Sequence, residues 1–225
     1  MNTIWGFAMF FYTQALGIRS ELTAWILAIP LVWDAVTDPV MGYITDKTQS
    51  RFGRRIPHIF IGGILMAAFY VFLWYVPKIF QSSQTSMVIY LIAVNLISRT
   101  LMTWYYVPYV ALGFEMCNDY NQRNKLQSAR FVMNMIFNLI FSGIIVWRVF
   151  LVDAEGNRDT TIQANYAKMG LWFGGVILVS ILIMVFSTRR YCTDTRHESA
   201  HIGSGVKGFI RDMIDIFKDA NSRFV

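Results

Sequence analysis

Long apolar runs alternate with short polar loops along this 225-residue chain. A helix needs about 20 predominantly apolar residues to cross the ~30 Å hydrocarbon core of a bilayer. Most of the runs approach that length, so the pattern predicts an all-α membrane protein with six spanning helices, called segments one to six here. They cover residues 3–16, 22–45, 56–76, 87–112, 126–149 and 166–187. Segment one is short for a span, and we expect it to be the rear part of a truncated helix.

The chain changes character after segment six. Residues 1–189 are expected to form a six-transmembrane-helix bundle, and residues 190–225 a linker. Within that linker, apolar residues at 206, 209, 210, 213 and 217 alternate with charged ones. This spacing is typical of an amphipathic helix that lies on a membrane surface or on the protein itself. We expect the linker to lead toward a missing helix seven.

Composition supports the membrane prediction. The chain is 55% hydrophobic and only 15% charged, whereas soluble domains average roughly 45–50% apolar and about 25% charged residues. The net charge of +6 could suggest nucleic acid, but Lys and Arg concentrate in the 2–3 loop, the 4–5 loop and the linker. That one-sided distribution is typical of cytoplasmic loops. It predicts a multi-pass protein of the cell inner (plasma) membrane with both termini cytoplasmic, and no nucleic-acid partner.

Two carboxylates interrupt segment two. Asp34 and Asp38 are four residues apart, so on a helix they share one face. A charged side chain at the bilayer centre costs about 2.5–3.5 kcal/mol on insertion scales. A bound cation, a proton or a basic partner must offset that cost. Arg99 on segment four is the natural counter-charge, either as part of a working site or as a purely structural ion pair.

Oxygen atoms near the acidic pair suit a small hard cation. Pro39 leaves the carbonyl of Ala35 without its helical donor, and Thr37 and Thr103 add hydroxyls. Carboxylate, carbonyl and hydroxyl oxygens favour Na⁺, or a carboxyl that takes up a proton. We therefore expect cation binding at Asp34, Asp38, Thr37 and Thr103, with no other metal and no cofactor. The alternative for Pro39 is a kink made only for packing.

Segments four and five carry further polar positions at helical spacing. Polar stripes on membrane helices usually face an interior or a water-filled cavity, where aromatic rings beside them can stack on sugar faces. The expected substrate-binding residues are Arg99, Tyr106, Arg130, Asn134 and Asn138. The alternatives are interhelical hydrogen bonds that serve packing alone and, for the rings, ordinary packing in the membrane interior.

The loop between segments two and three combines glycine with charge. Its marked positions are Gly42, Asp46, Arg51, Gly53, Arg54 and Arg55. Glycines allow close helix approach and a tight turn, and the charges can latch helix ends together. We expect this loop to form a cytoplasmic gate or a structural latch. The two cysteines, Cys117 and Cys192, have no disulfide or metal spacing and are expected to be free thiols.

Three stretches together resemble one known family. They are Asp34-Ala-Val-Thr-Asp38-Pro39-Val-Met-Gly42-x3-Asp46-Lys-Thr-x2-Arg51-Phe-Gly53-Arg54-Arg55-x-Pro57, Phe11-Tyr12-Thr13-x2-Leu16-Gly17, and Val107-Pro108-Tyr109-x-Ala111-Leu112-Gly113-x-Glu115 with Asp119-Tyr-x2-Arg123-x2-Leu126-x3-Arg130. The chain resembles the glycoside–pentoside–hexuronide:cation symporters of the major facilitator superfamily. The resemblance implies twelve helices in two halves that work by alternating access, with this chain as the six-helix N-terminal half.

The resemblance also implies site residues. The family's cation-site acids match Asp34 and Asp38, its helix-four threonine matches Thr103, and Arg130 matches an arginine of the sugar cavity. Thr37 stands where a familiar member has Asn, so Na⁺ and H⁺ both remain open. Tyr106 aligns with a sugar-binding acid of that member, and its helix-one acid would fall before residue 1, so the sugar cannot be carried over.

The expected function is cation-coupled symport of a sugar or glycoside, which is not an enzyme activity. Its partners would be the small-molecule substrate, Na⁺ or H⁺, membrane lipid and the missing C-terminal six-helix half. One alternative is a carrier of the same superfamily for a lipid or an organic acid. Another is a membrane phosphotransferase, since the Asp-x3-Asp spacing occurs in such enzymes. The lead-in residues of that enzyme motif are absent here, and Pro39 follows the second Asp.

Overall fold

Every regular element in the described part of the chain is a helix. The structure is a computed structural model, and it describes residues 7–48, 50, 53–117, 119–148 and 163–188. Helix α1 covers residues 7–15 and ends in a π-helical turn, Phe11–Ala15. The long helices are α2 (Ser20–Lys47), α3 (Ile56–Phe69), α4 (Gln84–Glu115), α5 (Tyr120–Arg148) and α6 (Gln163–Thr188). Two 3₁₀ helices, Tyr70–Trp74 and Lys78–Ser82, connect α3 to α4.

Four of the predicted segments are confirmed as helices long and apolar enough to cross a membrane. These spans are Ser20–Lys47, Ile56–Ser82, Gln84–Glu115 and Asn165–Ser187 within the described residues. They correspond to segments two, three, four and six. Segment five is the 29-residue helix α5, and the described part of segment one is α1. The chain is therefore an all-α, multi-pass membrane protein.

Helix packing places α4 at the centre of the described bundle. α2 and α3 both pack along α4, and α6 packs on α3 and on the following 3₁₀ turn. An aromatic cluster lies between α1, the 3₁₀ helix that follows α3, and α6. The Phe11 ring is tilted against that of Tyr166 at 4.8 Å between ring centroids, and the Trp74 ring stacks on Tyr166. Large apolar side chains such as Trp25 and Val32 remain exposed, as expected of surfaces that face lipid or another part of a membrane protein.

Two predicted loops are shorter than expected. The loop predicted over residues 113–125 shrinks to the few residues between α4 and α5, because α4 continues to Glu115 and α5 begins at Tyr120. Similarly, α2 continues through Asp46 and Lys47, which were expected to lie in the 2–3 loop. Hydropathy marks where a helix leaves the apolar layer, whereas good helix formers such as Gln, Lys and Arg extend it into the polar region. The predicted linker helix and Cys192 lie outside the described residues; Cys117 is a free thiol.

Candidate functional site

Helices α2 and α4 run side by side in the same direction with a constant register. Asp34 contacts Arg99 and Asp38 contacts Thr103, and each pair is 65 residues apart. One turn further along, a Cβ on Gly42 would meet Val107 at 4.0 Å. Because both helices advance one turn between successive pairs, every fourth residue of α2 faces every fourth residue of α4. Asp34, Asp38, Arg99 and Thr103 are called the α2–α4 site below.

Asp34 forms an ion pair with Arg99. Arg99 Nη1 donates to Asp34 Oδ2 at 2.5 Å, and the two side chains are only 12% and 19% exposed, respectively. The other carboxylate oxygen, Asp34 Oδ1, is buried and has no hydrogen-bond partner among the described residues. A buried carboxylate oxygen in a native structure usually has a partner. Arg99 therefore satisfies only one of the two carboxylate oxygens of Asp34.

Asp38 lies one turn along the same face. The buried hydroxyl of Thr103 donates to Asp38 Oδ1 at 2.8 Å, while the Asp38 side chain reaches an exposed position. The α2–α4 site therefore brings two carboxylates together with one guanidinium, which leaves one excess negative charge. No group of three or more His, Cys, Asp or Glu that could hold a metal ion occurs in the described part of the chain. The oxygen-rich, singly charged arrangement suits a proton or a monovalent cation.

Thr37 and Trp33 lie beside the acidic pair with different partners. Thr37 Oγ1 donates to the Trp33 carbonyl at 3.2 Å and approaches the Asp34 carbonyl at 3.5 Å. The structure therefore shows its hydroxyl on the backbone of its own helix, and the predicted cation contact stays a prediction. Trp33 Nε1 donates to Thr100 Oγ1 at 3.0 Å. This second tie between α2 and α4 was missed, because Trp33 was not considered as a polar residue.

The other predicted substrate residues lie along α4 and α5. Tyr106 is 46% exposed and has its ring near that of Tyr109. Arg130 places its guanidinium 4.5 Å above the Tyr109 ring and donates to the Tyr109 carbonyl at 3.5 Å. Asn138 Nδ2 donates to the backbone and side-chain oxygens of Asn134 at 2.7 and 2.8 Å. Arg130 thus connects α5 to α4, and the structure shows the two asparagines bonded to each other.

A cluster of charges joins the ends of α2, α3 and α4. Arg55 Nη2 lies 3.0 Å from Asp46 Oδ1 and 2.9 Å from Glu115 Oε1, and Arg54 also pairs with Glu115. Asp46, Arg54, Arg55 and Glu115 are called the loop-side cluster. Gly53 precedes the two arginines with φ +92°, a conformation that side chains disfavour. Arg51 lies outside the described residues. Glu115 was missed as a site residue. The excess of basic over acidic residues in the 2–3 loop was a signal that an acid from another helix would pair with its arginines.

His58 forms a second connection near the loop-side cluster. Trp104 Nε1 lies 3.0 Å from His58 Nδ1, and Thr48 Oγ1 lies 2.7 Å from His58 Nε2. Indole N–H can only donate, so Nδ1 is the acceptor and Nε2 carries the proton of the neutral ring. His58 Nε2 therefore donates a hydrogen bond to Thr48 Oγ1, which itself donates to the Ile44 carbonyl at 2.8 Å. His58 was missed because each of its partners lies in a different predicted segment or loop.

Comparison with known proteins gives a consistent set of matches. A family model described as MFS/sugar transport protein matches residues 1–221. An uncharacterized symporter of Synechocystis sp. is 30% identical over 84% of this chain and 34% of its own length. The putative glycoside/cation symporter YagG of Escherichia coli is 29% identical over 84% of this chain and 40% of its own length. The sodium-dependent lysophosphatidylcholine symporter 1-B of Danio rerio is 31% identical over 53% of this chain and 22% of its own length.

Proposed function

The chain belongs to the MFS/sugar transport protein family, and on that premise we propose that it is the N-terminal half of a cation-coupled symporter. It spans 34% to 44% of the length of the first relatives it matches. In this proposal residues 1–189 form a six-helix bundle and residues 190–225 lead to a second six-helix half. The bundle lies in the inner (plasma) membrane with both termini in the cytoplasm.

The α2–α4 site is the observation that carries the proposal. Two carboxylates on an apolar spanning helix face one guanidinium, and buried Asp34 Oδ1 has no hydrogen-bond partner in the described structure. An uncompensated charge inside a membrane is expensive. A single Na⁺ or H⁺ would remove the excess charge, with Asp38, Thr103 and Thr37 as its other proposed contacts. The site is therefore proposed as the coupling-cation site.

Coupling needs two carrier states that differ in affinity for each ligand. If cation binding favours one arrangement of α2 and α4, the substrate that prefers the same arrangement binds more tightly, and the effect is reciprocal. The loop-side cluster fits the role of a latch, because its ion pairs join the ends of α2, α3 and α4. We assign Gly42, Asp46, Arg51, Gly53, Arg54 and Arg55 to this gate, and the pairs would separate when the carrier opens on that side.

A sugar or glycoside is the proposed substrate. The relative named as a putative glycoside/cation symporter aligns over 84% of this chain. Tyr106 offers an exposed ring for stacking on a sugar face. The polar side chains of Arg130, Asn134 and Asn138 offer donors and acceptors for hydroxyls. We assign Arg99 to the substrate site as well as to the α2–α4 site, where it pairs with Asp34 one turn from Thr103.

A lysophospholipid is the second candidate substrate. It is favoured by relatives named sodium-dependent lysophosphatidylcholine symporters, which are 30% to 32% identical over 53% to 65% of this chain. The large exposed apolar side chains on α5, such as Phe131 and Leu139, would suit an acyl chain as well as membrane lipid. The relatives' names lend no support to a phosphotransferase, so we do not propose an enzyme.

Uptake into proteoliposomes tests the proposal. The gene product carried to its natural ends is reconstituted, and labelled glycosides and lysophosphatidylcholine are offered with an imposed Na⁺ gradient, an imposed H⁺ gradient or neither. Gradient-dependent accumulation of a glycoside is the expected result, and the effective gradient names the ion. Accumulation of the lipid alone would replace the sugar by the second candidate. Absence of gradient-driven uptake of either class by folded protein would contradict the proposal.

A further inference from the structure

Arg99 places a fixed positive charge against one carboxylate of the α2–α4 site. Its guanidinium lies 2.5 Å from Asp34 Oδ2, inside a site whose second carboxylate, Asp38, is one helical turn away. Arginine stays protonated under all physiological conditions. The charge that Arg99 brings to Asp34 can therefore be withdrawn only by moving the side chain or the helix that carries it.

We propose that Arg99 is a tethered positive charge that competes with the coupling cation for Asp34 and disfavours a divalent cation in the α2–α4 site. The inference rests on the proposed cation-coupled transport. With Arg99 in place the two carboxylates carry one excess negative charge, which Na⁺ or a proton neutralises. Without Arg99 the excess is two, and the same oxygens would attract a divalent cation.

The register of α2 on α4 gives this competition a mechanical consequence. Arg99 reaches Asp34 only while residues 65 apart face each other. The hydrogen bond from Trp33 to Thr100, 67 residues apart, also joins the two helices in this arrangement. A shift of α2 along or around α4 would withdraw the guanidinium and raise cation affinity. Cation binding and helix movement would then be linked, because the two helix arrangements bind the cation differently.

Equilibrium binding of ²²Na⁺ and ⁴⁵Ca²⁺ to the purified full-length protein tests the inference, with proton uptake followed by a pH indicator. The variants are Arg99→Gln, which removes the charge, and Arg99→Lys, which keeps it. Lys168→Gln is the control, because it removes one positive charge from an exposed position on α6. Removal of an adjacent unit charge is expected to raise Na⁺ affinity, or the site's proton affinity if protons couple, at least ~10-fold. Arg99→Gln should also gain Ca²⁺ binding, while Arg99→Lys and Lys168→Gln should not.

A second measurement uses the wild-type protein and so does not depend on a variant folding. Phenylglyoxal modifies accessible arginines, and peptide mass spectrometry reads Arg99 and Arg130 in the same sample. Binding of the coupling cation should speed modification of Arg99 several-fold relative to Arg130, with K⁺ or choline as the inert salt.

The possible results distinguish the competitor role of Arg99 from the proposed cation coupling. Unchanged or weaker cation binding in Arg99→Gln, or modification of Arg99 that does not respond to the cation, would overturn the competitor role and leave cation coupling standing. Failure of wild type and every variant to bind Na⁺ or take up a proton would overturn both.

Discussion

The α2–α4 site and the loop-side cluster both contain arginine–carboxylate ion pairs but differ in their charge balance. Each pairs an arginine with a carboxylate on a neighbouring helix. In the α2–α4 site two carboxylates face one guanidinium, whereas in the described part of the loop-side cluster two carboxylates face two. Arg55 there contacts acids from both α2 and α4. The excess negative charge fits the first region to the proposed cation, whereas the balanced charges fit the second to the proposed latch between helix ends.

The comparison predicts that the two regions respond to mutation in different ways. Neutralising an acid in the α2–α4 site should affect coupling more than folding. Neutralising an acid in the loop-side cluster should affect stability first, because at least one arginine there loses a carboxylate partner and keeps an uncompensated positive charge.

The largest expected effect is loss of coupling in Asp38→Asn. Asn can still accept the Thr103 hydrogen bond seen at 2.8 Å, so packing is kept while the charge that would hold the cation is removed. We expect no accumulation above equilibrium in gradient-driven uptake by the full-length protein. Glu21→Gln is the matched control, because Glu21 is an exposed acid in the first turn of the same helix. Wild-type accumulation by Asp38→Asn would remove the distinction between the two regions.

The next largest effect is on stability, in Glu115→Gln. Glu115 accepts from both Arg54 and Arg55, and hydrogen bonds to charged groups contribute about 1.5–3 kcal/mol. We expect a loss of stability in that range, measured by chemical or thermal unfolding in detergent. Asp119→Asn is the control, since Asp119 is exposed just before α5. Equal stability of Glu115→Gln and wild type would mean that the loop-side cluster does not hold the helix ends.

A packing variant tests how rigid the helix contact behind the loop-side cluster is. A Cβ on Gly62 of α3 would lie 3.0 Å from the Tyr105 backbone nitrogen and 3.1 Å from the Trp104 carbonyl carbon on α4. Because backbone cannot rotate away, Gly62→Ala should cost about 1–3 kcal/mol of unfolding free energy. Gly175→Ala on α6 meets nothing within 4 Å and should be neutral or stabilising. Similar melting temperatures for the two variants would show that α3 and α4 separate freely.

The smallest effect is expected for Trp104→Phe. The substitution removes the indole donor at 3.0 Å from His58 Nδ1 and should cost about 1 kcal/mol, as for one net hydrogen bond. Without that donor the His58 ring should no longer be held in the tautomer with its proton on Nε2, and ¹⁵N NMR of the ring detects this change directly. Trp172→Phe, at an exposed position on α6, is the control. An unchanged tautomer in Trp104→Phe would mean that Thr48 alone fixes the ring.

The helices were predictable because apolar length is a local signal. Segments two, four and six were found to within three residues at either end. Segment three began at the predicted residue, but its α-helix ends at Phe69 and continues as a 3₁₀ turn. Their ends were less accurate, since Asp46, Lys47 and Glu115 continue their helices into the polar layer. The spacing of Asp34 and Asp38 likewise predicted a shared face without any knowledge of the fold.

The partners across helices were not predictable to the same extent. The sequence left Arg99 equally suited to Asp34 and Asp38, and the 65-residue register that selects Asp34 arises only when α2 packs on α4. The cation contact of Thr37 stays a prediction; its hydroxyl donates to the backbone of its own helix, a local bond that threonine commonly makes. Glu115 and His58 were missed because their partners are distant in sequence or in another segment.

The central claim is that the α2–α4 site holds the coupling cation, and counting bound ions tests it most directly. The full-length protein is equilibrated with ²²Na⁺, or its proton uptake is followed if H⁺ couples, and Asp38→Asn is compared with Glu21→Gln. We predict a single saturable cation per wild-type and Glu21→Gln protein, and none for Asp38→Asn. Undiminished binding by Asp38→Asn would place the cation elsewhere and contradict the account.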